Sequence, residues 1–84
     1  MIEVHLYGKL RRFTDNLDPS RDSITCVATK KGDSIADIIR RIGISSNEVG
    51  PNIFLNGRHS PQSGKVNNGD RLGIFPDDMP MIIV

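Results

Sequence analysis

The 84-residue chain has little of several features that would point to a specialised class of protein. A single cysteine, Cys26, cannot form an internal disulfide. The two histidines, His5 and His59, lie far apart in the sequence and lack the paired spacing of zinc ligands. The formal net charge is +1, whereas a dedicated nucleic-acid-binding protein needs a clear basic excess. We therefore expect no metal, no cofactor and no nucleic-acid partner.

Long apolar runs are also missing. The longest run, Met81 to Val84, has four residues, against roughly 20 for a membrane-spanning helix. The first residues lack the basic region and apolar core of a signal peptide, so we expect a cytoplasmic protein without membrane contact. The length suits one domain, and the 37% of apolar and 25% of charged residues are ordinary for a folded one.

Alternation of apolar and polar residues predicts two strands in the first third of the chain. The opening stretch 2–7 alternates as a half-buried strand does. Residues 8–21 are polar and rich in turn formers, which favours a loop. Residues 22–29 alternate again, and we expect Ile24, Cys26 and Ala28 to face the core. On that interpretation Cys26 is a buried, unreactive thiol.

The clearest element is a helix of about ten residues, in which four apolar side chains at i, i+3, i+4 and i+7 form one stripe. These side chains are Ile35, Ile38, Ile39 and Ile42. Ser34 and Asp37 have the spacing of a capping box, and Gly43 is a typical helix stop. Two further strands are predicted after the helix. One is the stretch 52–57, which ends in the turn signal Asn-Gly, and the other is 71–76.

Three short motifs occur along this order of elements. They are SIADII at 34–39, LNG at 55–57 and NGDRL at 68–72, the last closed by Phe75-Pro76. In this order the chain resembles the ubiquitin-like β-grasp proteins of the ThiS/MoaD sulfur-carrier family, over roughly residues 1–76. The resemblance implies an α+β fold with one helix packed on a mixed four- to five-stranded sheet. We expect a β-grasp domain over 1–76 and a C-terminal tail over 77–84.

The tail departs from the pattern of that family. The family's tail ends in two glycines, and its terminal carboxylate is converted to a thiocarboxylate that donates sulfur. Residues 77–84 contain no glycine, and Ile83-Val84 is β-branched and stiff. We therefore expect no thiocarboxylate and no catalytic residue. Three placements of the tail stay open: addition to a sheet edge of this chain or of a partner, packing on the core, and exposure to solvent.

The sheet face opposite the helix is the expected docking surface. The alternation places His5 there together with three aromatic residues and an arginine, which are typical interface anchors. The resemblance implies that this face and the tail dock on an activating enzyme and an acceptor subunit. The expected partner-binding residues are Tyr7, Phe54, Arg71, Phe75, Met81, Ile82, Ile83 and Val84. The competing interpretation is that polar loops cover Phe54 and Phe75.

The function we expect is that of a non-catalytic docking module in molybdenum- or tungsten-pterin cofactor or sulfur metabolism. Its partner would be another protein, such as an activating-type enzyme or a cofactor-synthesis subunit. Two alternatives remain open. The chain could be a true sulfur carrier for molybdopterin or thiamine synthesis that uses an atypical C-terminus. It could also be a self-associating structural module that forms a homodimer through its tail.

Overall fold

A computed structural model describes residues 1–14 and 22–78 of the chain. Within these two ranges, five strands, one α-helix and two short 3-10 helices follow one another. The elements are β1 (Ile2–Leu6), a 3-10 helix (Gly8–Phe13), β2 (Ile24–Val27), α1 (Ile35–Ile42), a second 3-10 helix (Ser46–Glu48), β3 (Val49–Leu55), β4 (Arg58–His59) and β5 (Arg71–Pro76).

The strands form one mixed sheet in the order β2-β1-β5-β3-β4. The two central strands, β1 and β5, run parallel, with Val4 opposite Leu72. The remaining neighbours are antiparallel, and Ile53 lies opposite Ile74 where β3 meets β5. Residues that lie opposite one another share a face of the sheet, so these apolar pairs build one continuous core-facing surface. The predicted fold class is confirmed.

Local side chains determine both ends of α1. The Ser34 hydroxyl accepts a hydrogen bond from the Asp37 N–H at 3.2 Å, and the Asp37 carboxylate accepts one from the Ser34 N–H at 2.9 Å. This is the predicted capping box. At the other end Gly43 adopts a left-handed φ of 100°, which stops the helix. Because both cap residues stand outside the helix proper, it has eight residues and not ten.

One apolar cluster fills the space between the sheet and α1. Its members are Ile2, Val4, Leu6, Leu10, Val27, Ile35, Ile38, Ile39, Ile44, Val49, Ile53, Val66, Leu72 and Ile74. Three of the four isoleucines of the helix stripe are buried, and Ile42 packs against the cluster from its margin. Full burial of one such side chain stabilises the fold by about 1.5–3 kcal/mol. The helix therefore depends on the sheet for most of its stability.

The predicted orientation of β2 is wrong. Pairing with β1 places Ile24 opposite His5 and Cys26 opposite Glu3, on the side away from the core. Cys26 and Ala28 are exposed, and the Ile24 side chain is 39% exposed. Val27 faces the core instead. Both faces of this short strand carry residues that tolerate burial, so alternation alone could not choose between them.

One segment predicted as loop, and another for which no element was predicted, contain regular structure. Gly8–Phe13 forms a 3-10 helix that buries Leu10 in the core cluster, and Phe13 packs against that cluster. Spacing of three between these two side chains suits a 3-10 helix, because such a helix has three residues per turn. The second segment is β4, which pairs with β3 across a tight turn at Asn56 and Gly57, with φ of 52° and 82°. A strand of two residues has no periodicity to detect.

Candidate functional site

The face of the sheet opposite α1, called the open face below, carries a row of side chains that crosses all five strands. The row follows from the register: each member lies opposite the next on the neighbouring strand. Across the strands it reads Ile24, His5, Gly73, Phe54 and His59. A residue without a side chain therefore occupies the middle of the open face.

An aromatic cluster, made of Tyr7, Phe54 and Phe75, includes one member of this row and flanks the row on one side. The Tyr7 and Phe75 rings are stacked, with centroids 4.2 Å apart and planes 5° from parallel. Phe54 meets Phe75 edge-on, with centroids 6.0 Å apart. The Tyr7 N–H donates to the Ile74 carbonyl at 3.3 Å, so the parallel pairing continues one residue past β1 and brings Tyr7 beside Phe75. The sheet itself thus positions all three rings.

A pocket of about 390 Å³ opens beside the aromatic cluster. Its lining residues are His5, Tyr7, Asp22, Phe54, Gly57, Arg71, Gly73 and Phe75. Since Gly73 lies between His5 and Phe54 in the row, the pocket occupies the space that a side chain at position 73 would fill. The pocket is apolar along its aromatic wall and polar at its two ends.

A charged network lies at the end of the pocket away from the aromatic cluster. The His5 Nε2 donates to the Glu3 carboxylate at 2.7 Å, and the Arg71 Nε lies 3.2 Å from the same oxygen. The hydrogen bond from His5, helped by the charge of Arg71, holds the pKa of Glu3 below its usual value. The Arg71 side chain is 71% exposed. Its guanidinium therefore presents a positive charge to solvent at the pocket edge.

A second network fixes the start of the tail. The Lys9 Nζ lies 2.6 Å from the Asp77 carboxylate and 4.0 Å from that of Asp78. The Asp77 N–H donates to the Glu48 carbonyl at 2.9 Å, and Arg12 forms an ion pair with the Glu48 side chain. The hydrogen bond between Lys9 and Asp77 lowers the pKa of Asp77 and raises that of Lys9. These contacts hold the first residues after β5 in place.

The described ranges hold no group of three or more His, Cys, Asp or Glu residues arranged to bind a metal ion. Within the same ranges, no helix has both the length and the apolar character that a membrane crossing requires.

Comparison with known proteins places this arrangement in a family. A family model described as Mut7-C ubiquitin matches residues 1–81. The chain belongs to the Mut7-C ubiquitin family. A solved structure described as molybdopterin converting factor, subunit 1, from Pyrococcus furiosus matches with a TM-score of 0.66 and 19% sequence identity, over 89% of this chain and 94% of that one. At this identity the likeness shows the fold alone. No curated protein matches the chain significantly.

The predicted site residues fall into two groups. Four of them, Tyr7, Phe54, Arg71 and Phe75, converge on the open face around the pocket. The other four, Met81, Ile82, Ile83 and Val84, lie outside the described residues. The ubiquitin-like β-grasp resemblance is confirmed by the family match and by the shared fold.

Ring contacts bear on the interpretation that polar loops cover Phe54 and Phe75. Phe54 and Phe75 are half-buried, and they shield each other and Tyr7 through ring contacts. Sequence reasoning missed Gly73 as a site residue. The available signal was a glycine in the interior of a strand, which often marks a place where another molecule approaches the backbone.

Proposed function

We propose that this protein is a non-catalytic docking module that binds another protein through its open face. The observation that carries the proposal is the aromatic cluster, Tyr7, Phe54 and Phe75, which stands on the open face with Arg71 beside it. Aromatic residues and arginine dominate the binding energy of protein interfaces. The chain has four residues of the Phe, Trp and Tyr type, and one of them, Tyr7, is 37% exposed and therefore accessible to a partner.

The way the cluster is built favours binding. Tyr7 immediately follows β1 and Phe75 lies in the neighbouring strand β5, and their stacking holds each ring in one orientation. Ordering side chains on binding costs conformational entropy, and rings that are already fixed avoid most of that cost. An interface of standard size needs about 800 Å² from each partner, so we expect the partner to cover the aromatic cluster and the row that ends at Ile24.

The tail supplies the second contact in this proposal. Lys9 and the Glu48 carbonyl hold Asp77, which is two residues beyond Phe75 in the chain. A partner seated on the open face is therefore within reach of the residues that follow. We propose that Met81, Ile82, Ile83 and Val84 bind the same partner as the cluster, either in a groove or as a strand added to a sheet edge.

The partner class rests on the fold likeness. The similar structure from Pyrococcus furiosus is described as a subunit of a molybdopterin converting factor. This supports a partner of molybdenum- or tungsten-pterin cofactor or sulfur metabolism, either an activating-type enzyme or a cofactor-synthesis subunit. On this proposal the domain spans 1–76 and the tail 77–84, and neither part contributes a catalytic group.

Site-specific crosslinking in the native host tests the docking face. A photoreactive phenylalanine analogue replaces Tyr7 in one variant and Arg40, on the exposed side of α1, in the control. We expect a discrete crosslinked protein from position 7 and none from position 40, with identification by mass spectrometry. The same pattern from both positions, or none from either, would contradict the proposal. A crosslink between two copies of the chain would favour self-association.

A second candidate function is that of a sulfur carrier with an atypical C-terminus, which the likeness to a molybdopterin converting factor subunit favours. The intact mass of the protein from its own host, with fragmentation of the last residues, separates the two. A carrier shows a trimmed end or an exchange of oxygen for sulfur at the terminal carboxyl group. A docking module carries an ordinary terminus.

A further inference from the structure

The pocket on the open face has a chemical polarity that specifies its occupant. We propose, on the basis of the proposed function, that this pocket binds an acidic–apolar segment of the partner protein. One apolar side chain, aliphatic or aromatic, sits over Gly73 against the aromatic cluster. A carboxylate next to it in the segment pairs with the Arg71 guanidinium.

The backbone gives no reason for glycine at position 73. Its φ lies outside the left-handed region, where glycine is favoured. A Cβ built there would lie 3.7 Å from Tyr7 Cε2 and 3.9 Å from Phe54 Cβ, which are ordinary contacts. Glycine inside a strand weakens it, because it adds backbone entropy to the unfolded chain and packs against nothing. What glycine does provide here is open space in the centre of the face.

The walls of that space suit an apolar side chain, and its volume also leaves room for the neighbouring residue of the segment. The pocket measures about 390 Å³ and is bounded by the faces and edges of Tyr7, Phe54 and Phe75. Aromatic rings pack well against aliphatic and aromatic groups and gain little from a fully hydrated polar one. The rings are fixed by stacking, so the pocket exists before the partner arrives.

The charged residues that line the pocket determine where the acidic residue of the segment binds. Glu3 and Arg71 lie opposite each other at the start of β1, and Glu3 accepts from His5 as well, so one carboxylate serves two basic groups. Asp22 lines the other end of the pocket, next to Ser23, whose carbonyl accepts from the Leu6 N–H at 2.9 Å.

The two ends are about 13 Å apart along β1, at roughly 3.3 Å per residue. A carboxylate is therefore favoured at the Arg71 end. Planar guanidinium groups bind carboxylates through paired hydrogen bonds. The terminal nitrogens of Arg71 are suited to this, because the contact with Glu3 uses Nε.

Three small probes distinguish the contribution of the apolar group to binding from that of the carboxylate. Phenylpropionate carries the ring and the carboxylate, phenylpropylamine carries the ring with the opposite charge, and propionate carries the charge alone. Each is titrated into the labelled full chain while backbone amide shifts are followed by NMR. We expect saturable shifts centred on Gly73, Phe54 and Arg71 for phenylpropionate. The amine should bind about two- to fivefold more weakly, as for an exposed ion pair, and propionate should not saturate.

Two variants assign the effects to residues. Gly73→Val places a branched side chain at the centre of the pocket and should abolish saturable phenylpropionate binding, and Gly73→Ala, a smaller change, should weaken it. Arg71→Gln should bring phenylpropionate down to the affinity of the amine. The matched controls are Cys26→Val, on the open face outside the pocket, and Arg58→Gln, which lies opposite Leu55 on β3. Neither control should alter binding.

The inference is overturned if phenylpropionate gives no saturable shifts, if it binds equally well to Gly73→Val, or if charge has no effect on affinity. Its failure is distinguishable from failure of the docking function. If the probes fail while position 7 still crosslinks to a discrete partner, the docking face stands and the acidic–apolar segment is wrong. If the probes bind as expected and position 7 yields no partner, the pocket chemistry stands without the proposed function.

Discussion

The rings of Tyr7 and Phe75 lie parallel on neighbouring strands, with their centroids 4.2 Å apart. The two residues are almost a whole chain apart in sequence and meet because β1 and β5 pair in parallel at the centre of the sheet. Phe54 closes the group edge-on from β3. A surface of this kind is rigid and partly apolar, and it resembles an interface more than ordinary solvent-exposed sheet.

Gly50, in β3, and Gly73, inside β5, should respond oppositely to alanine. A Cβ at Gly50 would lie 2.7 Å from the Pro76 carbonyl oxygen, a backbone atom that cannot move aside freely. We expect Gly50→Ala to lower the free energy of unfolding by about 1–3 kcal/mol. Gly73→Ala meets only ordinary contacts and should be neutral or stabilising by up to about 1 kcal/mol. Urea unfolding measures both, and equal effects would contradict the geometry.

The capping box should carry a measurable share of the stability. The Ser34 hydroxyl accepts the Asp37 N–H, which has no partner within the first turn of the helix. Ser34→Ala should therefore lower the free energy of unfolding by about 0.5–2 kcal/mol. Urea denaturation monitored by circular dichroism measures the change. The matched control is Ser46→Ala, an exposed serine in the second 3-10 helix. An equal loss in the control would show that the cap contributes nothing specific.

The ion pair between Asp33 and Arg41 should make stability depend on acid pH. Arg41 donates to the Asp33 carboxylate at 2.7 and 3.2 Å, and the Lys30 N–H donates at 2.8 Å. These hydrogen bonds, those of Arg41 first, lower the pKa of Asp33 from 3.8 to about 2. Because the folded pKa lies below the unfolded one, the stabilisation is present above pH 3.8 and is lost as the pH falls towards 2.

Thermal unfolding at a series of pH values checks this dependence. We expect Asp33→Asn to be less stable than the wild type at neutral pH, and the difference to shrink steadily as the pH falls through the range between the two pKa values. A difference that stays constant down to the lower value would show that the Asp33 charge is not the source of the stabilisation.

The exposed thiol of Cys26 should react without unfolding. Cys26 lies on the open face opposite Glu3, at the outer strand of the sheet. We expect a chromogenic disulfide reagent to modify it in the native protein at a rate close to that in denaturant. Reaction only after denaturant is added would restore the interpretation of Cys26 as a core residue.

Local chemistry explains which parts of the fold could be predicted from the sequence. The caps at Ser34 and Gly43 act through their immediate neighbours, so the helix was found with nearly correct ends. The orientation of β2 depends on its pairing with β1, which local alternation does not contain, and it was predicted wrongly for Ile24 and Cys26. The pair of residues in β4 was missed because a strand so short has no pattern.

In the candidate site, too, local patterns predicted some features, and strand pairing determines the others. Alternation within each strand was enough to place Tyr7, Phe54, Arg71 and Phe75 on one face. The pocket, in contrast, depends on which strands are neighbours and in what register. Gly73 becomes its centre only because His5 and Phe54 lie on either side. Such contacts join residues distant in sequence and become visible only in the folded chain.

The affinity of the purified partner for the open face tests the central claim most directly. The partner identified by crosslinking is titrated in a calorimeter with the wild type, with Phe75→Ala and with Arg40→Ala as the control on the helix side. If the open face is the docking surface, Phe75→Ala weakens binding by about tenfold or more, and Arg40→Ala leaves it unchanged. Equal affinity of the wild type and Phe75→Ala for the partner would contradict the account.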